Sequence, residues 1–459
     1  MRQGQRCSNS KFNSSIGVIL AAVGSAVGMG NIWLFPYRVG QYGGGAFLVP
    51  YFLFVALFSY VGLSGEFALG RLTGCGTRGA FDYALQTRGR RGGSLIGILP
   101  VLGVLGIAIG YSVVVGWVLN YTVGSLTGAV LTTDAADYFG TLAVSFGSVP
   151  WHLIAVTATA VILILGVSAG IEKISKFMMP VFFLLFLIIA VRVAFLPGAA
   201  AGYRYLLAPD WSFLRKPETW VMAMGQAFFS LSLGMGCLCT YASYFKKDTN
   251  LTKTAFSVSI IDTFVAILAG LIIFPAAFSV GIQPDAGPSL IFITLPNVFQ
   301  QAFSGVPLLA YIFSVMFYIL LAVAALTSTI SMHEVVTAYL HEEFHLSRKR
   351  AASFVTGGCM FLGTLCSLSL GVGKGYTLFG LNLFDMFDFV TAKIMLPLGG
   401  LCISIFTGWY LNKKIVWEEV SNNGTLKVTF YKLLIFILKF IAPIAISLIF
   451  IKELGFLKL

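Results

Sequence analysis

The segment Gly24-Ser-Ala-Val-Gly-Met-Gly-Asn31 interrupts the first long apolar stretch of the chain, and Ser230-Leu-Ser-Leu-Gly-Met-Gly236 interrupts another near its middle. Both contain Gly-Met-Gly, and each lies where a regular helix would otherwise continue across a membrane. Glycine weakens a helix and lets a ligand approach the backbone. Unpaired backbone groups are tolerated at membrane depth only where they line a cavity or are buried in protein. The two breaks therefore predict discontinuous helices that frame a buried binding site.

The composition is that of an all-α polytopic membrane protein. Of 459 residues, 58% are hydrophobic and 10% are charged, whereas about a quarter of residues are charged in soluble domains. Apolar stretches of about twenty residues recur along the whole chain, which we interpret as one membrane domain over 1–459. Eleven spans are predicted, the first and sixth of them broken: 16–40, 46–71, 95–128, 152–170, 175–196, 219–245, 254–283, 307–343, 351–371, 379–411 and 430–453.

The net charge of +12 comes mainly from lysines and arginines in short loops, so it indicates topology rather than a nucleic-acid partner. Most of these residues fall on one side of the predicted spans, which places the N-terminus in the cytoplasm and the C-terminus outside. They are Arg2, Arg6, Lys11, Arg71, Arg78, Arg88, Arg90, Arg91, Lys173, Lys176, Lys246, Lys247, Lys253, Arg348, Lys349, Arg350, Lys413 and Lys414. On the other side, 283–304 is predicted to be an outer loop with a short helical hairpin, either a lid or inert.

Ionisable residues within apolar spans indicate where a charge is buried: Glu66, Asp262, Asp385 and Asp388. Asp262 has no lysine or arginine within a helical turn, so it needs a countercharge, and a bound cation would supply one. A protonated structural carboxyl is the alternative. Thr327 and Ser328 add two hydroxyls. Considered by themselves, these hydroxyls would be expected to donate hydrogen bonds to carbonyls of their own helix. Beside the first break, they favour a site for a hard cation such as sodium.

The sequence contains no recognisable enzyme constellation. His341 and His345 have helical spacing without the HExxH pattern, and no phosphate-binding Walker motif is present. The seven cysteines are scattered and predict no disulfide framework. ATP-driven transport and metal-dependent catalysis are therefore not expected.

The ordered motifs of the chain are similar to those of the neurotransmitter:sodium symporter family, the amino-acid and amine transporters of the LeuT fold. The resemblance covers nearly the whole chain, and the eleven-span count is like that of the bacterial branch. The matching motifs include Gly24–Asn31, Phe35-Pro-Tyr37, Gly43-Gly-Gly-Ala-Phe47, Glu66-Phe-Ala-Leu-Gly-Arg71, Gly225–Gly236, Tyr241-Ala-Ser-Tyr244 and Leu326-Thr-Ser328.

The resemblance implies a five-plus-five inverted repeat, with repeats at 16–196 and 219–411 between a cytoplasmic segment 1–15 and an extra helix 430–453. It implies sodium-coupled symport by alternating access in a bacterial inner membrane. The implied partners are an amino acid, sodium ions and membrane lipid, in a monomer or weak homodimer with no nucleic acid.

The resemblance also implies residue roles. One sodium site would use Ala26, Asn31, Ser230 and Asp262. A second would use Gly24, Val27, Ala324, Thr327 and Ser328. The substrate would contact Ala26, Met29, Gly30, Ile107, Tyr111, Phe229, Ser230, Ser232, Met235, Ser328 and Met332, with Tyr111 and Phe229 closing over it.

Departures from the family pattern define further expectations. Tyr51, Gln226 and Ser230 match chloride ligands, but Ala266 replaces a serine and Asp262 replaces an asparagine, so a fixed carboxylate would take the place of chloride. The outer gate has Leu34 where the family has arginine opposite Asp388, and Arg38 is a possible substitute. At the inner gate Glu342 is matched, whereas Asn9 and Phe12 replace arginine and tryptophan, and Arg6 or Lys11 would serve instead.

The substrate is expected to be a large hydrophobic or aromatic L-amino acid, because flexible methionines and small neighbours give an adaptable apolar pocket. The sequence offers no additional carboxylate that could bind the amino group of a monoamine. A proton-coupled permease, an amino-acid sensor that does not transport and a leaky channel remain alternatives.

Overall fold

A computed structural model describes residues 11–87, 89–142, 144–281, 289–302, 305–427 and 431–456. Across this part of the chain the structure is helical, with two isolated β-bridges. Eight of its helices are long and apolar enough to cross a membrane, or nine if a bent pair counts as one span. The principal helices are α1 (Ser15–Ala26), α2 (Gly30–Gln41), α3 (Gly45–Thr73), α4 (Gly93–Leu126), α5 (Val149–Ile164), α6 (Val167–Ala194), α7 (Pro217–Ser230), α8 (Cys237–Ser243), α9 (Leu251–Ser279), α10 (Pro307–Glu343), α11 (Arg348–Leu370), α12 (Leu383–Tyr410) and α13 (Tyr431–Glu453).

Both predicted helix breaks are confirmed. The backbone becomes extended at Val27, and α1 and α2 meet at an angle of 58°. Between α7 and α8, Ser232, Gly234 and Gly236 have positive φ angles of 52°, 85° and 73°. Glycine adopts this left-handed region without steric cost, which explains two of these three positions. The breaks thus separate α1 from α2 and α7 from α8 within their spans.

Two expectations, the position of one loop and the state of one cysteine, need correction. The loop between the fourth and fifth spans lies at Gly166, not at 171–174, because Gly166 with φ 90° ends α5 and a π-helical turn starts α6 at once. In the predicted outer loop, the described residues form one helical segment, Leu290–Thr294 followed by Leu295–Ala302, and the hairpin stays a prediction because 283–288 and 303–304 lie outside the described residues. Cys75 is disulfide-bonded, although the scattered cysteines predicted no disulfide framework.

Close helix packing sets the positions of the broken helices. α3 packs against both α7 and α8, and α1 packs between α6, α9 and α10. A Cβ on Gly70 of α3 would lie 1.9 Å from the Cys239 carbonyl oxygen of α8. Only glycine allows this approach, which fixes the second break against α3.

An ionic cluster ties several helix ends together on the lysine- and arginine-rich side. The Arg71 guanidinium at the end of α3 lies 2.8 Å from the Glu419 carboxylate, on the short helix Lys413–Val420. Arg71 also donates to the Thr249 carbonyl at 2.5 Å, and Lys247 donates to Glu419 at 2.8 Å. The ends of α3 and α8 therefore share one side of the molecule with the α12–α13 connection.

Candidate ion and substrate site

One polar cluster joins α2, α7 and α9. Asn31 Nδ2 donates to Asp262 Oδ1 at 2.8 Å and lies 3.0 Å from Ser230 Oγ. Ser230 Oγ donates to Asp262 Oδ2 at 2.5 Å. All three side chains are at most 1% exposed. In the part of the chain that the structure describes, Asp262 forms no ion pair with lysine, arginine or histidine. The cluster supplies the oxygen ligands and the negative charge that suit a hard cation.

A second oxygen cluster lies where α1 ends against α10. Ser328 Oγ donates to the Val27 carbonyl at 3.0 Å and to the Gly24 carbonyl at 3.5 Å. Thr327 Oγ1 donates to the carbonyl of Ala324 at 3.0 Å, within its own helix. The Thr327 Cβ lies 3.1 Å from the position of a Cβ on Gly24, so the two backbones are in close approach. The five residues predicted for the second cation are thus neighbours in space.

A cavity lies between the two oxygen clusters. Ten of the eleven residues predicted to contact the substrate line it, and Ser230, the exception, belongs to the first cluster. Ser331 lies one helical turn after Ser328, so helical spacing could have identified it. The complete lining is Ser25, Ala26, Gly28, Met29, Gly30, Asn31, Ile107, Tyr111, Phe229, Ser232, Met235, Cys237, Ser328, Ser331 and Met332.

Polar groups suited to an amino acid's charged ends meet at this cavity. The buried Tyr111 hydroxyl lies beside Ser328 and the Met29 backbone and forms no hydrogen bond within the described structure. The N-terminal end of α2, which begins at Gly30, favours anions, and the carbonyl end of α1 favours cations. The Phe229 ring packs on Gly30, where a Cβ would lie 2.5 Å from Phe229 Cε1. The lining therefore combines opposite backbone dipoles with an aromatic wall.

The second break is held by Glu66, which the sequence identified as an ionisable residue within an apolar span and as a titrating group of the proton-coupled alternative. Its carboxylate accepts a hydrogen bond of 2.7 Å from the Gly234 N–H, and the side chain is 1% exposed. A backbone N–H released from a helix costs free energy unless it is paired. Glu66 is therefore a positioning residue for the α7–α8 break.

Further buried polar atoms without partners lie on α3, α7 and α9, and α9 is the helix that carries Asp262. The Tyr51 hydroxyl, both polar side-chain atoms of Gln226 and the Thr263 hydroxyl have no hydrogen-bond partner in the described structure. Ala266, one turn beyond Asp262 on α9, is fully buried and adds no polar group. Of the residues that match chloride ligands, Ser230 contacts the Asp262 carboxylate and Tyr51 lies near it.

The outer gate residues do not form the ion pair that was suggested. Leu34 lies on α2 and is half-buried, whereas Asp388 lies on α12 and is exposed. Among the described residues, neither Arg38 nor any other cation lies within 4 Å of the Asp388 carboxylate. The suggestion that Arg38 replaces the family arginine as its ion-pair partner is therefore wrong for this structure.

The opposite end of the site is covered by the segment before α1. Phe12 is buried among Tyr241, Tyr244 and Phe245, at ring-centroid distances of 6.0–6.2 Å. Lys11 Nζ donates to the Ser243 carbonyl at 2.6 Å.

On that same side, the two Glu342 carboxylate oxygens share the Gly76 N–H as donor, at 2.8 and 3.0 Å. The predicted residues Asn9 and Arg6 lie outside the described part of the chain. The structure therefore places Glu342 against the backbone after α3.

A buried ion pair that sequence reasoning missed lies next to this closure. Glu334 of α10 is unexposed, and its carboxylate oxygens lie 2.6 and 3.0 Å from the Arg348 guanidinium of α11. The Tyr244 hydroxyl donates to the same carboxylate at 2.5 Å. The sequence shows Glu334 as an acidic residue within an apolar span, but it does not show that Arg348 and Tyr244 are its partners. This cluster joins α8 to α10 and α11.

Known proteins resemble the chain over almost its whole length. A model of the "Sodium:neurotransmitter symporter family" matches residues 9–141 and 140–458. The uncharacterized sodium-dependent transporter YhdH of Bacillus subtilis (strain 168) is 37% identical over 454 residues, covering 98% of both chains. An uncharacterized sodium-dependent transporter of Haemophilus influenzae is 33% identical over 457 residues, covering 96% of this chain and 98% of its own. The crystal structure of MhsT in complex with L-phenylalanine has a TM-score of 0.86 and 38% identity, covering 97% of this chain and 100% of MhsT.

Replacing Glu66 tests its role at the second break. We expect Glu66→Leu to destabilise the protein by about 1–3 kcal/mol because it leaves the Gly234 N–H unpaired. Glu66→Gln retains an acceptor oxygen and is the matched control. Thermal unfolding in detergent should show a lower midpoint for the leucine variant than for the glutamine variant. Equal midpoints for both variants would contradict the role.

Proposed function

The chain belongs to the sodium:neurotransmitter symporter family, and on this premise we propose that it takes up large hydrophobic or aromatic L-amino acids without requiring chloride. Members of this family are sodium-dependent transporters and not enzymes, with sodium as the coupling ion. The observation that carries the proposal is the pair of oxygen clusters on either side of one cavity, at the point where α1 gives way to α2.

The cavity lining supports the proposed substrate class. Ile107, Phe229 and three methionines provide its apolar surface, and methionine adapts to side chains of different shape. No acidic side chain among the described residues lines the cavity, so a substrate amine would meet backbone carbonyls instead of a carboxylate. This favours an amino acid over a monoamine. MhsT, crystallised with L-phenylalanine, is similar over its full length.

We assign the ions and the substrate as follows. Asn31, Ser230, Asp262 and the Ala26 carbonyl hold one sodium ion. The carbonyls of Gly24, Val27 and Ala324 hold the other with the hydroxyls of Thr327 and Ser328. The substrate carboxylate meets Tyr111 and the amides around Met29 and Gly30, and the remaining cavity residues contact its amine and side chain. Both ions thus adjoin the first break, so sodium and substrate binding are coupled through one segment.

The proposed independence from chloride rests on Asp262. Its fixed negative charge lies beside Ser230 and near Tyr51, two of the residues that match chloride ligands, and it forms hydrogen bonds with Asn31 and Ser230. The carboxylate would repel a chloride ion beside it. It also supplies the negative charge that chloride would otherwise provide.

We place 16–196 and 219–411 as inverted repeats, with 1–15 as a cytoplasmic segment and 430–453 as an additional helix. Alternating access follows when α1, α2, α3, α7, α8 and α9 rock against the remaining helices. The proposed location is a bacterial inner membrane, and the assembly is a monomer or weak homodimer.

Uptake into proteoliposomes tests this function. Labelled phenylalanine, tyrosine, tryptophan and leucine are supplied with an inward sodium, potassium or proton gradient, with chloride or gluconate as the anion. We expect saturable accumulation with sodium and either anion. Accumulation driven by protons without sodium would assign a proton-coupled permease instead. Sodium-dependent binding without accumulation would assign a sensor.

Two isosteric variants of α10 test the second sodium site. Thr327→Val removes a proposed ligand hydroxyl and should raise the sodium concentration for half-maximal uptake about tenfold, equivalent to about 1.4 kcal/mol. Thr329→Val removes a buried hydroxyl that donates to the Ala325 carbonyl and belongs to neither oxygen cluster. It should leave the sodium dependence unchanged. The same shift in both variants would contradict the assigned site.

Asp262→Asn tests the source of the negative charge. We expect this variant to lose accumulation in gluconate, because the amide carries no charge to balance the cation. Adding Ala266→Ser to it should restore part of the uptake in chloride but not in gluconate. Full uptake by Asp262→Asn in gluconate would show that the carboxylate does not replace chloride. The Ala266→Ser single variant is the control and should stay independent of the anion.

A further inference from the structure

A basic groove lies on the lysine- and arginine-rich side, between α12, α13 and the loop before α4. Its volume is about 650 Å³. No acidic side chain of the described chain lines it, and it does not adjoin the ion and substrate cavity. The lining residues are Arg90, Ile405, Trp409, Tyr410, Lys439 and Pro443.

Lys439 carries a positive charge within an apolar span. It lies eight residues after Tyr431, which corresponds to about 12 Å along α13. Its ammonium is 4.9 Å from the centroid of the Trp409 ring, and Trp409 Nε1 donates to the Lys439 carbonyl at 2.8 Å. Across the described ranges no carboxylate lies within 4 Å of Lys439. A cation at this depth reaches the membrane interface or acquires a countercharge.

Arg90 brings a second uncompensated cation to the same groove. Its Nη1 lies 3.5 Å from the Tyr410 hydroxyl, and its Cζ lies 5.7 Å from the centroid of that ring. The side chain is exposed and forms no ion pair within the described structure. The planar guanidinium presents paired donors that match phosphate oxygens. The groove thus combines two cations with the aromatic residues typical of headgroup depth.

An exposed apolar stripe continues from the groove along α13. Phe436, Phe440 and Ile444 have helical i, i+4 spacing and are 52%, 44% and 62% exposed. A free phosphate ion would use only the groove, whereas a phospholipid would also place its acyl chains along this stripe. The stripe therefore favours a lipid as the occupant.

We propose that this groove binds the headgroup phosphate of an anionic phospholipid. Arg90 and Lys439 pair with the phosphate oxygens, Trp409 and Tyr410 flank the headgroup, and the acyl chains lie on the α13 stripe. A headgroup such as glycerol leaves the phosphate charge uncompensated, whereas choline neutralises it internally. The site therefore selects phosphatidylglycerol over phosphatidylcholine.

Native mass spectrometry of the purified protein with added lipid tests this site. The Arg90→Gln/Lys439→Gln variant should bind phosphatidylglycerol about tenfold more weakly than the wild type, because two charge-assisted contacts are removed. Lys253→Gln/Lys349→Gln removes two exposed cations from the same side and is the matched control. It should bind phosphatidylglycerol like the wild type, and phosphatidylcholine should bind weakly to all three proteins. Equal loss in both double variants, or no loss in either, would overturn the proposal.

Two further measurements are needed. One distinguishes a bound lipid from bound free phosphate, and the other tests the site in the wild-type protein, where misfolding of a variant plays no part. Inorganic phosphate and glycerol phosphate at millimolar concentration should not displace phosphatidylglycerol; displacement by either would assign a phosphate site instead. The fluorescence of Trp409 is obtained by subtracting the spectrum of the Trp409→Phe variant from that of the wild type. Phosphatidylglycerol with brominated acyl chains should quench this fluorescence more strongly than brominated phosphatidylcholine. Equal quenching by both lipids would contradict the selectivity without any change to the cations.

Discussion

Backbone groups released from helices at membrane depth are the constraint on which the rest of the structure depends. Water is scarce there, so each released N–H or carbonyl needs a partner from the protein or from a ligand. Glu66 meets this need at the second break by accepting from the Gly234 N–H. At the first break Ser328 donates to the Val27 carbonyl. The broken helices are therefore stable only with α3 and α10 packed against them.

The charge of Asp262 places a second demand on the same region. A buried carboxylate without a cation is costly even when it is hydrogen-bonded. Its contacts with Asn31 and Ser230 join the first residues of α2 to the last residue of α7. A cation bound here would lower that cost and hold both broken helices in one arrangement. Binding and helix position are thus linked by electrostatics within a few ångströms.

The sequence was informative where a residue departed from its local pattern. Glycine-rich breaks and Asp262 stand out in apolar spans, and these features predicted both discontinuous helices and the residues that meet at the cavity. Partners far apart in the chain were not predictable in the same way. Glu66 and Gly234 are separated by 168 positions, and their hydrogen bond depends on how α3 crosses α8.

The misplaced boundary between the fourth and fifth spans has a related cause. Lys173 and Lys176 suggested a loop, but Lys176 pairs with Glu172 at 2.6 Å. Glu172 also accepts a hydrogen bond of 2.7 Å from the Asn13 N–H. Lys176 and Glu172 at the start of α6 therefore compensate each other's charge, and the helix begins earlier. The buried cluster around Glu334 shows how such compensation would permit the proposed rocking. Movement of α8 away from α10 would separate the Tyr244 hydroxyl from Glu334, but Arg348 on α11 would remain paired with it. Because only a neutral hydroxyl leaves, the carboxylate keeps its countercharge throughout, and the movement avoids the penalty of an isolated buried charge.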